Sequence, residues 1–444
     1  MKKIISIVIM WIQIWCIIPL GCAENTKQLR VAYLPAHSAA IELFSSRHPD
    51  VALISCDVSF WSQEEFITRI LTQDASVDIY SITVSMGLGA LKDKNYLPAI
   101  NSEYLEKEVI NWFPPIVDCI SANGQLVAVP YDIYTNEWGM NSSLWEKVCP
   151  DRSIDTWIDY IDLVRWWYEN PDLEDDFNVS YAGLRRDDIL RNILYSYVSL
   201  YETETQPINF DTSEFRLTLS QLMNLPNPEN SEDEEAWNEM INRPSLLLET
   251  PENIGSQTYN HDFDAIPEPR FVSNQSPCLR GEMQLYVINP YTKNYQEAVW
   301  FLEALIEAMP DTAKIRLSPN IDIPIENPYW VTKHEQLTEQ LDRLLADKAN
   351  PDSLDEEDTV ERIQRQLQDT SDRHIVTTKE YHRYQELVKY LHFNEYSLFL
   401  GFQNGENIDI LFRIITRYFH GLLTIDECIC SLNNVADQLF YESY

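Results

Sequence analysis

Three short apolar runs near the start of the chain, 29–34, 51–58 and 77–82, alternate with segments whose apolar residues recur at helical spacing. Strand–helix repetition of this kind builds a mostly parallel sheet with helices on its faces, so the N-terminal region is predicted to be an α/β lobe. Ser38 is placed to cap the first helix, which ends near Arg47 before His48-Pro49. Ser62-Gln63-Glu64-Glu65 is a capping box that opens the second, with Phe66, Ile67, Ile70 and Leu71 on one face. With 444 residues, 45% of them hydrophobic, the chain can fill two such cores.

The front end is an export signal in composition. Met1-Lys2-Lys3 is basic, 4–18 is apolar and too short for a membrane span, and Gly21-Cys22 precedes a polar stretch. Residues 1–22 are therefore predicted to be a signal peptide whose Cys22, in a lipobox-like setting, becomes a lipidated N-terminus. The alternative is an ordinary cleaved signal with an incidental cysteine. The formal charge of −37, from 33 Lys and Arg against 70 Asp and Glu, repels phosphate backbones and argues against a nucleic-acid partner. It favours neutral or cationic ligands over anionic ones. The other cysteines show no CxxC spacing, so buried free thiols are expected, with one or two disulfides open as an alternative.

Asn123-Gly124 reads as a tight turn, and 126–129 as a short strand that Pro130 should end by removing a backbone donor. Beyond it Tyr131, Asp132, Tyr134, Asn136, Glu137, Trp138 and Asn141 crowd rings and hydrogen-bonding groups into one extended segment. The stretch from Asn123 to Leu144 resembles the segment that crosses between lobes in the extracellular solute-binding proteins of ABC importers, the family of the maltose-binding protein. Tyr96-Leu97-Pro98, Thr156-Trp157, 285–309 and 424–439 resemble further landmarks of that family. The resemblance implies a two-lobe α/β periplasmic-binding-protein-like fold with hinge crossings and a helix-rich C-terminal part. Its first lobe would comprise 28–130 and 285–326, and its second 139–272 and 328–444. Crossings would fall at 131–138, 273–284 and about 327. From Glu335 to His392 the chain departs from the family pattern and reads as helical, with an acidic loop at 352–358.

No GxSxG, HExxH or GxxxxGK[ST] motif occurs, and no histidine spacing suits a metal. What remains is ligand capture without catalysis, cofactor or metal. In open α/β sheets ligands sit beyond the carboxyl ends of the strands. The candidates are then His37 and Ser38, Ser59 and Trp61, Thr83 and Ser85, and Tyr131, Asp132, Tyr134 and Trp138 in the crossing. Trp330 is added beside the later crossing. Rings can stack on a pyranose face while Asp132 accepts from its hydroxyls. Each residue has a structural alternative: Trp61 as a core cap, Trp138 as hinge packing, Asp132 as a partner of backbone donors. The resemblance implies a monomeric, membrane-anchored, exported receptor that closes on a sugar or oligosaccharide and delivers it to ABC permease subunits. A peptide, polyamine or other solute, a secreted hydrolase and a receptor feeding a sensor are the rival readings.

Overall fold

The computed structural model describes residues 27–443, except 33, 35–37, 57–62, 171, 173–175, 181–184, 204, 226–242, 250–252, 257–260, 348–355, 369–372, 397 and 400–404. The predicted signal peptide, Cys22, His37, Ser59, Trp61 and residues 352–355 of the expected acidic loop lie outside the described residues, while 356–358 of that loop are helical.

Strand β1 (Lys27–Val31) pairs in parallel with β2 (Val51–Ser55) and β3 (Ile79–Thr83), as the alternation predicts. The helices that follow the first two, Ser38–Arg47 and Gln63–Leu71, bury Phe44, Phe66 and Ile70 against them. Asn123 and Gly124 take the expected positive φ values, 52° and 75°, in the turn between the two-residue strands β4 (Ser121–Ala122) and β5 (Gln125–Leu126). Pro130, however, does not end a strand. It lies inside β6 (Val129–Asn136), where the register against the partner strand shifts between Gln284 and Leu285. A bulge has no ladder bond for the missing N–H to make, so proline costs little there.

At Glu137 the chain leaves this sheet for β7 (Trp138–Met140), which belongs to a second sheet with β8 (Asn178–Ser180), β9 (Ser245–Leu248) and β10 (Asp264–Ile266), in the order β10-β7-β9-β8. The helix Trp157–Tyr168 opens with a complete capping box between Thr156 and Asp159, and buries Trp157, Tyr160, Ile161 and Val164. The helices Arg186–Tyr201, Ser213–Met223, Gly405–Phe419 and Ile425–Ser443 complete a core that is separate from the first.

The chain returns through Glu268, whose carboxylate takes two 2.8 Å bonds from Arg280 with both groups nearly buried. β11 (Leu279–Ile288) then fills the first sheet, antiparallel to both β3 and β6. The next helix, Tyr295–Glu307, sets Ala298, Phe301, Leu302 and Leu305 in the first core, as its spacing predicts.

The C-terminal third departs from expectation. β12 (Ile325–Glu326) pairs with β13 (His374–Val376), and between them the helices Pro328–Asp347 and Glu356–Gln368 form a hairpin. The helix Thr378–Leu387 and β14 (Leu391–Phe393), which runs parallel to β11, then join the first core. Residues 374–393 thus pack with the first lobe, not the second. The third crossing falls near 394–398 and not at 327; there Glu202 accepts from the Asn394 side chain at 2.9 Å and from Leu398 N–H at 2.6 Å. Short apolar triplets inside a polar, helix-rich stretch are too brief to show strand periodicity.

All six described cysteines are free thiols; Cys119, Cys149, Cys278 and Cys428 are buried. No described helix is long and apolar enough to cross a membrane.

Candidate functional site

β6 runs alongside β3, with β11 antiparallel between them, so three strands present one polar face at the end of the first sheet. Thr83 pairs with Gln284 and Gln284 with Asp132; one rung further, Glu282 pairs with Tyr134. Directly paired residues project to the same face, and a strand alternates faces at every residue. Asp132 and Tyr134 therefore stand together, while Tyr131 and Ile133 turn into the core.

Beside this face lies a cavity of about 420 Å³ lined by Asp132, Tyr134, Thr135, Asn136, Asn253, Ser256 and Arg316. Its wall comes from β6, from the loop after β9, which leaves the second sheet to pack on the first lobe, and from Arg316. Asn253, from the connection between β9 and β10, accepts a 2.8 Å bond from Thr135 N–H. The adjoining Ile254 is buried in the first core. Gly255 is required here: its φ is +84°, and a Cβ would stand 2.3 Å from the Thr312 carbonyl oxygen. From the other side, Arg316 reaches Asp132 at 2.9 Å and donates to the Ile133 carbonyl at 2.6 Å. Burial, then a hydrogen bond to the Asp132 carboxylate, raises the Tyr134 pKa, so its phenol stays a neutral donor. Tyr134 is 40% exposed, an aromatic face open to solvent at the cavity.

Behind the wall, at the first crossing, Glu137 is 1% exposed. One oxygen accepts from Thr135 Oγ1 at 2.8 Å, and the other has no partner among the described residues. Burial pushes its pKa to about 7, against the opposing pull of Thr135 and Arg316.

The other candidates fare differently. Thr83 is half-buried, with its hydroxyl 3.3 Å from that of Ser85. Ser85 is 4% exposed and its N–H is bonded to Glu282, so it braces the strand end and is not open to a ligand. Tyr131 is buried, stacked on Tyr286 with centroids 4.5 Å apart and bonded to Ser81 at 2.8 Å. Trp138 is 1% exposed and lies edge-on to Trp157 and Tyr160 in the second core. Both are packing residues, which corrects their assignment as ligand contacts. Trp330 stacks against His334 on the helical hairpin and does not line the cavity. Ser38 opens the first helix. Arg316, Asn253, Ser256 and Glu282 were not anticipated. Glu282 and Gln284 could have been, because they alternate with the apolar Met283 and Leu285. Arg316 and Asn253 reach the site only through tertiary folding.

Two α/β lobes, three chain crossings and a polar cavity at the strand ends define a two-lobe periplasmic-binding-protein-like fold. No protein-family model matches the chain, and no curated protein sequence does. Solved structures do. The sugar-binding protein MalE from the phytopathogen Xanthomonas citri superposes with a TM-score of 0.57 at 13% identity, covering 94% of this chain and 98% of that one. The ABC substrate-binding protein Lmo0181 from Listeria monocytogenes, in complex with cycloalternan, gives 0.53 at 12% identity over 94% and 98%. The GacH receptor of Streptomyces glaucescens, solved unliganded and in complex with acarbose, gives 0.53 at 11% identity over 94% and 99%. The chain shares their fold along nearly its whole length.

Proposed function

We propose that this protein is the solute-capturing component of an ABC importer. It takes a small organic solute of the carbohydrate class into the cavity, closes its lobes and presents the closed form to permease subunits, without catalysing a reaction. In this reading Asp132, Tyr134, Asn136, Asn253 and Ser256 contact the solute. Thr83 contributes from the end of β3, and His37, Ser38, Ser59 and Trp61, the sequence candidates that follow the first two strands in the chain, are proposed as further contacts. Cys22 anchors the exported protein to the outer face of the cell membrane.

The observation that carries the reading is the cavity itself: hydrogen-bonding side chains from three separate segments, one of them arriving from the second sheet, meet an exposed aromatic ring. A site of that kind holds a hydroxyl-rich ligand and gains contacts as the lobes approach. The named solved neighbours with this fold are sugar-binding, cycloalternan-bound and acarbose-bound proteins.

The test is a thermal-shift screen of the purified protein against sugars, peptides and polyamines. A ligand at 100 times its dissociation constant adds about 2.7 kcal/mol of stability. Stabilisation by one or more sugars is the expected result. A response confined to peptides or polyamines overturns the carbohydrate assignment. For the anchor, Cys22→Ala should move the protein from the membrane fraction to the soluble one.

A further inference from the structure

Of the described residues lining the cavity, Arg316 is the one cation and Asp132 the one carboxylate, and the two face each other at 2.9 Å. The guanidinium is held from a second side by its 2.6 Å bond to the Ile133 carbonyl, and only 15% of its side chain is exposed. Asp132 is itself tied down, since one of its oxygens also accepts its neighbour's N–H, that of Ile133, at 2.9 Å. The cavity therefore carries an arginine whose charge is already answered by a fixed internal counter-ion.

We infer that Asp132 sets the charge selectivity of the cleft, neutralising Arg316 so that neutral hydroxylated solutes are accepted and their carboxylate-bearing counterparts are turned away. This rests on the cleft being the solute site. An anionic group entering the cavity would have to share one partly buried guanidinium with a carboxylate already bound to it. Like charges at such separations repel strongly where water is scarce. A hydroxyl meets no such conflict: it donates to the carboxylate and accepts from the guanidinium edge. Removing the Asp132 charge while keeping its shape leaves an unanswered arginine, a group whose planar fork suits carboxylates. One side chain then separates a receptor for neutral sugars from one for acidic sugars.

The experiment uses pairs of disaccharides matched in ring and linkage, one member neutral and the other a uronate. Titration calorimetry is performed on the wild-type protein and on Asp132→Asn. The wild type is expected to bind neutral members at least tenfold more tightly, and Asp132→Asn to lose or invert that preference. A wild type that binds uronates as tightly as their neutral partners overturns the inference, whether or not the variant folds. An Asp132→Asn protein with native circular dichroism and an undiminished neutral preference overturns it as well. If no sugar of either kind binds the wild type, the carbohydrate reading itself fails. That outcome is distinct from binding without selectivity.

Discussion

At the scale of single residues, Glu137 is the most exposed to solution conditions although it is sealed from solvent. Its carboxyl is raised from an ordinary 4.5 to about 7 by burial. In the unfolded chain the same group ionises near 4.5, so the unfolded state loses its proton first as pH rises. A group with a raised folded pKa adds its stability below the unfolded value and loses it on the way up to the folded one. Wild-type stability should therefore fall relative to Glu137→Gln across pH 4.5 to 7, by about 3 kcal/mol at the upper end. The two proteins should converge near pH 4. Denaturant melts at pH 4, 5.5 and 7.5 check this, and a constant difference across that range would contradict it. The site's residues were legible to the extent that period-two alternation is. Asp132 and Tyr134 share a face, while Tyr131 alternates with them into the core. Trp138 lies past the crossing, where the chain enters another sheet and the alternation no longer applies. Arg316 and Asn253 were invisible because nothing local marks a residue brought in from 118 or more positions away.

Among the elements, the helical hairpin of Pro328–Asp347 and Glu356–Gln368 stands apart from both cores. Its first helix, about 30 Å long, keeps only a half-buried stripe through Trp330, Val331, His334, Leu337, Leu341 and Leu344. Val360 and Ile363 of the second are buried. The hairpin rests on β12 and β13, where Asn327 N–H donates to the Arg373 carbonyl at 2.8 Å. Excising 328–372 and joining Asn327 to Arg373 through Asn-Gly should leave a closed two-stranded turn. Scanning calorimetry should then show a melting temperature within about 2 °C of wild type, a change on the order of 1 to 2 kcal/mol for a chain of this size. Any ligand response found in the thermal-shift screen should be unchanged. A drop several times larger would mean that the hairpin supports the first core. The same region shows where sequence reading failed. Helical periodicity over 328–347 is long enough to be unmistakable, whereas β13 and β14 are three residues each and take their identity from partners in distant strands. Pro130 misled for the converse reason: a bulge, invisible in sequence, removed the cost that normally excludes proline from a strand.

For the molecule as a whole, the net charge of −37 sets a mutual repulsion that neither lobe escapes. Raising ionic strength from 0.01 to 0.15 M shortens the Debye length from about 30 to about 8 Å. The melting temperature should climb over that interval and level off beyond it, because self-repulsion destabilises the compact state. A flat response in calorimetry would show that the acidic groups are neutralised locally, by close basic partners.

The position of β11 has a temporal corollary. β6 has no other strand partner and β3 has only β1 besides, yet β11 leaves the ribosome about 150 residues after β6. At synthesis rates of about 5 to 20 residues per second, that is a wait of roughly 8 to 30 seconds. Throughout it the N-terminal half can assemble only a split sheet with two bare margins. The first sheet of the nascent chain thus cannot close until β11 has emerged.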